Sequence, residues 1–247
     1  MRNNILPTLI VVLACSLAPA QDTKHDAWKH DIEYLKTELP KRHKNLFFSM
    51  DKETYEARLD QVSADLASKS DLEIVISLQK VVAGIADDHT NLEYRRIVQS
   101  AGVFPLELYW YSDGWHVQTI LDKYESVLGS KVTAINGIRI ADVVDKLSSM
   151  MPKTNDAFIR YRIPKILHLI GLLRHFEIVE GESADVEFID QDGTTKSLRI
   201  EKLDVATLSR GARLVTYTPD SLPLCRRKPG AYFWSELLDQ DRILYAQ

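Results

Sequence analysis

Apolar positions recur at helical spacing through the first hundred residues and at alternating spacing after that. Trp28, Ile32, Leu35 and Leu39 fall on one stripe, which predicts a helix from Asp26 to Leu39 stopped by Pro40. The connector Lys41 to Met50 carries Leu46, Phe47 and Phe48 as plugs for a core. Asp51 is placed to cap a second helix whose stripe is Tyr55, Leu59, Val62 and Leu66. Ser70 with Glu73 reads as a capping box for a third helix, with Leu72, Val75, Leu78, Val82 and Ile85 facing inward. Together they make a small helical module.

The period changes after Gln99. Val103 to Tyr111 and Trp115 to Leu121 are aromatic and β-branched runs joined by Ser112-Asp113-Gly114, a hairpin signal. Lys131 to Ile135, Asn136-Gly137 and Ile138 to Ile140 repeat the strand, tight turn, strand pattern. Ala141 to Met151 reads as a helix closed by Pro152, and Asn155 to His175 as helix interrupted at Pro164 and Gly171. Ala184 to Asp190 and Thr194 to Lys202 form a last hairpin over Gln191-Asp192-Gly193. From Leu203 the chain reads as loop, with Pro219, Pro223 and Pro229. Tyr232-Phe233-Trp234 and Arg242 to Ala246 then look like two strands, and the second runs into Gln247, leaving an unpaired apolar edge.

Composition narrows this picture without redirecting it. With 247 residues, 45% hydrophobic and 27% charged, the chain can bury a core in one large domain or two to three small ones. A formal net charge of −4 gives no electrostatic case for nucleic acid, and Arg226-Arg227-Lys228 is too short to supply one. Residues 1–20 read as a targeting segment: Arg2 is the basic n-region, Ile5 to Leu17 is apolar, and Ala18-Pro19-Ala20 offers a small-x-small cleavage site. The apolar run is too short to span a bilayer. The expectation is an exported protein, periplasmic or secreted, with no membrane span. The rival is a lipoprotein acylated at Cys15 within Val12-Leu13-Ala14-Cys15. Cleavage after Ala20 would leave Cys225 alone, so neither an internal disulfide nor a cysteine zinc site can form.

Candidate chemistry is concentrated at one place. Ala83 to Leu92 ends the third helix in Asp87-Asp88-His89-Thr90, two carboxylates, an imidazole and a hydroxyl in succession. Such a knot suits an acid/base group, a metal ligand or a hydrogen-bonded corner. Phosphate-cradling glycine loops, a Gly-x-Ser-x-Gly elbow and His-Glu-x-x-His are all absent. Asp26 and His30 share a helical face but sit near an exposed N-terminus, and no metal is expected. His25, His43, His116, His168 and His175 read as surface or packing residues. Tyr109-Trp110-Tyr111 with Trp115 reads as sheet core in preference to a sugar platform, although a sugar- or lipid-binding role for this strand is a third possibility.

The order of these features carries a resemblance. A helical module ending in Asp88-His89-Thr90 is followed by Phe104-Pro105-Leu106, an aromatic strand and Asp113-Gly114. Leu128-Gly129 and Val132-x-x-Ile135-Asn136-Gly137-x-x-Ile140 come next. The chain from Trp28 to Gln247 resembles the tail-specific, or carboxyl-terminal-processing, serine peptidases and their tricorn-like relatives. The implied fold class is α+β. A signal peptide (1–20) precedes a helical module (21–97) and a PDZ-like mixed domain with inserted helices (98–202). A linker and first strands of a truncated α/β, ClpP- or crotonase-like, peptidase core follow (203–247).

The resemblance implies an exported serine-type peptidase acting on peptide or protein C-terminal segments, without a cofactor. The family's base is a lysine in the processing proteases and a histidine with an acidic partner in the tricorn-like ones. The serine turn lies beyond the part matched, so no serine is assigned and the chain alone is expected to be inactive. His89 corresponds to the tricorn-like base, with Asp88, or Asp87, as the acid that orients it. The other reading of His89 is a donor to backbone carbonyls that locks the helix end. Gly102-Val103-Phe104 is the counterpart of the PDZ carboxylate loop, or else a plain strand start. The second functional class is a non-catalytic peptide- or partner-binding protein outside the cytoplasm.

Overall fold

The computed structural model describes residues 20–218, 224–228, 230–239 and 242–246. The expected targeting segment, with Cys15, therefore falls almost wholly outside the described residues, as does Gln247. Helix α1 (Ala20–Arg42) extends beyond the sequence expectation at both ends. Pro40 sits inside its last turn and does not stop it, because the turn closes through the His43 N–H on the Leu39 carbonyl at 2.9 Å.

Helix α2 (Lys52–Ala64) starts as the sequence predicts. The Asp51 carboxylate accepts the Thr54 N–H at 2.7 Å and its hydroxyl at 2.8 Å. Helix α3 (Asp71–Ala83) carries the full capping box: the Ser70 N–H donates to the Glu73 carboxylate at 2.8 Å, and the Glu73 N–H to Ser70 Oγ at 3.4 Å. Burial on α3 is wider than one stripe. Ile74, Leu78, Val81, Val82 and Ile85 join Tyr55 and Leu59 in a helical core, while Val75 and Ile76 enter a second core under the sheet. A helix packed on two sides must be apolar on two sides.

Helix α4 (Arg95–Gln99) buries Val98 against that second core. Strands β1 (Leu106–Tyr111) and β2 (Gly114–Leu121) pair antiparallel, with Tyr111 opposite Gly114. Strands β3 (Lys131–Ile135) and β4 (Ile138–Arg139) turn on Asn136 and Gly137, whose φ values of 49° and 75° suit a type I′ turn. Helix α5 (Ile140–Ser148) follows directly.

The predicted interrupted helix is α6 (Asp156–Arg162), α7 (Pro164–Leu167) and α8 (Ile170–His175). Pro164 opens α7, where its missing N–H costs nothing. Gly171, expected to break a helix, lies inside α8. A Cβ there would stand 2.8 Å from the Val98 carbonyl oxygen, so the glycine lets α8 approach α4. The real break is at Leu169, extended and bridged to Val103.

Strands β5 (Ser183–Ile189) and β6 (Thr195–Glu201) complete the predicted hairpin. The stretch read as loop holds helix α9 (Val205–Ser209) and strand β7 (Leu214–Thr216), which pairs with β2. The sheet runs β1-β2-β3-β5-β6, with β4 beside β3 and β7 beside β2, and every pairing is antiparallel. Strands β8 (Ser235–Leu238) and β9 (Ile243–Ala246) form a separate two-stranded sheet. Tyr232 and Phe233, expected within the first of these strands, precede it and are 95% and 90% exposed. The molecule is α+β, as the resemblance implies. No helix among the described residues is long and apolar enough to cross a membrane.

Candidate functional site at the end of α3

Helix α3 ends where its last apolar turn runs out. Gly84 N–H still reaches the Lys80 and Val81 carbonyls, and Ala86 then takes a left-handed φ of 60°. That conformation costs a non-glycine residue about 1 kcal/mol. It throws the next four residues out of the helical line.

Asp87 fastens the corner. Its carboxylate accepts the Thr90 hydroxyl at 2.5 Å, the His89 N–H at 3.2 Å and His43 Nε2 at 3.1 Å. The Thr90 hydroxyl first, then the His89 N–H and His43, pull the Asp87 carboxyl down to about 2. His43 comes from the connector after α1. The Asn45 N–H donates to its Nδ1 at 3.2 Å, which assigns the ring proton to Nε2 and points it at Asp87.

The His89 ring stands clear of this clamp. Its side chain is 95% exposed, with Nδ1 3.7 Å from Asp87 Oδ1. That separation exceeds a hydrogen bond and suits an ion pair once the ring is protonated. Asp88, paired with His89 in the sequence reading, is placed otherwise. Its Oδ1 is buried without a hydrogen-bond partner among the described residues, and its carbonyl oxygen accepts Asn91 Nδ2 at 3.0 Å. The carboxylate beside the ring is Asp87. The backbone-lock reading of His89 finds no support either, since no described carbonyl accepts from the ring.

A shallow cavity of about 360 Å³ borders His89, with His43, Ser49, Ala86, Asp88 and Thr154 in its wall. A larger one of about 550 Å³ lies between Trp110 and Trp115 on one side and Ala141, Val144 and Asp145 of α5 on the other. The two indoles meet edge to face at 5.1 Å, and the Arg160 guanidinium covers Trp110 at 4.5 Å. Trp115 is buried, as a sheet-core reading requires, and Trp110 also borders the groove.

Gly102, Val103 and Phe104 do not offer free donors to a carboxylate. Their N–H groups donate to the Gln99, Leu203 and His168 carbonyls at 2.9 Å each. Val103 and Phe104 are buried, and their bonds tie the start of the sheet to the link between α7 and α8 and to the segment before α9. The strand-start reading describes them. Among the described residues no group of three or more His, Cys, Asp or Glu could hold a metal ion.

The fold has solved counterparts. Mature CPAF complexed with lactacystin shares it with a TM-score of 0.51 at 14% identity, over 73% of this chain and 34% of that one. A point mutant of CPAF gives 0.50 at 15% identity, over 73% and 34%. CPAF is a chlamydial serine protease. The fold is shared with a part of CPAF. The chain spans about a third of the length of these structures. No family model matches it, and no curated protein does.

Two functional neighbours escaped the sequence reading. His43 lies 44 residues from Asp87, and only the packing of α1 on α2 and α3 brings them together. Gln79, fully buried, donates Nε2 to the Met150 carbonyl at 2.9 Å and accepts the Leu92 N–H at 3.0 Å. A lone amide on the apolar face of a helix was the available signal, because such a group must find partners inside.

Proposed function

We propose that this chain is the base-bearing, substrate-handling part of an exported serine-type peptidase of the tail-specific kind, with the nucleophile supplied outside the described residues. The observation that carries the proposal is the His89 ring, exposed on a corner whose backbone is fixed by Asp87, Thr90 and His43. Nδ1 lies nearer Asp87, which leaves Nε2 toward solvent. An imidazole so held can take the proton of a serine hydroxyl as its oxygen attacks a peptide carbonyl, and return that proton to the leaving amine. Asp87 stabilises the ring while it carries the charge. No hydroxyl among the described residues hydrogen-bonds to the ring, so the partner must be brought to it. The fold shared with a part of CPAF supports the same reading.

The test is hydrolysis of a quenched-fluorescent unfolded polypeptide. The 247-residue chain alone is expected to give no turnover. The product of a reading frame continued past Gln247 through a serine turn is expected to be active, and His89→Ala should lower its kcat/KM by about 10³-fold or more. Turnover that survives His89→Ala overturns the assignment.

The groove between the two tryptophans and α5 also suits a second reading, in which the chain only holds peptides. Calorimetry with peptides carrying free or amidated C-termini checks that reading: saturable binding without hydrolysis in any longer product would favour it.

A further inference from the structure

A third cavity, of about 460 Å³, adjoins both the His89 corner and the tryptophan groove. Arg58, Lys80 and Lys153 line it, with the hydroxyl residues Ser49, Thr54 and Ser149. Among the described residues none of these three cations is ion-paired, whereas Lys36, Lys69, Lys196 and Lys202 all are. The carboxylate in the wall, Asp51, is exposed and committed to the Thr54 cap.

Lys80 is the most telling of the three. It is half-buried, and burial first, then Lys69, holds its ammonium below the usual lysine range. Its ammonium lies against His175 Nε2 at 3.5 Å and the face of Phe176 at 4.6 Å, neither of them an anion and neither in the cavity wall, so an acidic ligand would draw it from them. Arg58 lies over Gly84: a Cβ there would stand 2.2 Å from Met50 Cε and 2.9 Å from Arg58 Nη1, so the glycine makes room for the methionine first and the guanidinium second. Lys80 and Arg58 near the end of α3 would complement the helix dipole. That account does not reach Lys153, which arrives from the segment after α5.

The cavity is continuous with its neighbours. Ser49 and Ala86 also border the His89 cavity, and Lys153 also borders the tryptophan groove. The groove and the His89 cavity also share Thr154 directly, and a peptide that runs between them by way of this cavity passes its cations. We propose that Arg58, Lys80 and Lys153 form a subsite that selects peptides bearing an acidic side chain between the groove-bound segment and the residue presented to His89. The inference rests on the peptide-handling reading above.

The test is fluorescence anisotropy of the chain with two labelled, unstructured peptides identical except for Glu or Gln at central positions. The Glu peptide is expected to bind about tenfold tighter, from a few partly exposed charge pairs. The preference should collapse at about 0.5 M salt, where screening is strong, and in the double variant Arg58→Gln, Lys153→Gln. Both of those side chains are on the surface, so the fold is expected to survive, and far-UV circular dichroism checks it. Equal affinity for the two peptides, or a preference that persists in the double variant, overturns the acidic subsite and leaves peptide handling standing. Binding of neither peptide overturns both.

Discussion

Asp87 shows how one carboxylate can organise a site. Its folded pKa is depressed to about 2 by the Thr90 hydroxyl, the His89 N–H and His43, against about 3.9 for an unperturbed aspartate. A depressed value means that the stabilisation is present above the unfolded pKa and is lost as pH falls through the folded one. The window is therefore pH 4 to 2. The Asp87 side chain is 32% exposed, so we expect about 1 kcal/mol, well below the unscreened conversion. Asp87→Asn should lower Tm at pH 7 by about 2–4 °C and flatten the acid limb of a Tm-against-pH curve between pH 4 and 2. An unchanged acid limb would remove Asp87 as the organising group. The polar knot itself was legible in the sequence because its four residues are consecutive. The contact with His43 was not, since nothing local in residues 41–45 reports a partner after α3.

The helices divide according to whether their signals are local. Caps at Asp51 and at Ser70 with Glu73 were legible because cap chemistry acts within one turn. Pro40 and Gly171 were both taken as breakers: Pro40 is carried within its own turn by the bond from His43 to Leu39, whereas the approach of Gly171 to Val98 is set by a neighbour remote in sequence. Strand β7 was missed because Leu214–Thr216 is too short to show alternation and is recruited by the edge of β2. Gln79 ties α3 to the residues after α5 and to the strand of chain leaving the corner. Gln79→Leu keeps the volume but leaves the Met150 carbonyl and Leu92 N–H buried without it, at a cost of about 2–4 kcal/mol. Urea denaturation should show that loss as a shifted midpoint with an unchanged slope. A shift under about 0.5 kcal/mol would mean that water replaces the amide. Gly171→Ala should also destabilise, because the Val98 carbonyl it would strike is backbone and cannot swing away.

At the scale of the molecule, α3 decides whether the helical layer and the sheet behave as one body. The helix gives Ile74, Leu78, Val81 and Val82 to one core and Val75 and Ile76 to the other, and Trp28 packs on both. A helical module before a mixed domain was legible from the change of period after Gln99. The sharing was not, because the residues buried beyond the single predicted stripe are Ile74, Ile76, Gln79, Val81 and Ala83, and the apolar ones among them also suit a helix with one wide apolar face. Sharing matters for the site, since the His89 corner is the end of this helix and the tryptophan groove belongs to the sheet. Ile76 is fully buried on the sheet side. Ile76→Ala should cost about 3 kcal/mol, and the loss should reach both layers if α3 couples them. Native-state hydrogen exchange is the measurement: the slowest amides of α2 and of β5 should exchange with the same opening free energy and fall together in the variant. If only the sheet amides fall while those of α2 hold, the two cores open independently. The corner and the groove would then be free to part, and a peptide could not be handed rigidly from Trp110 past Lys153 to His89.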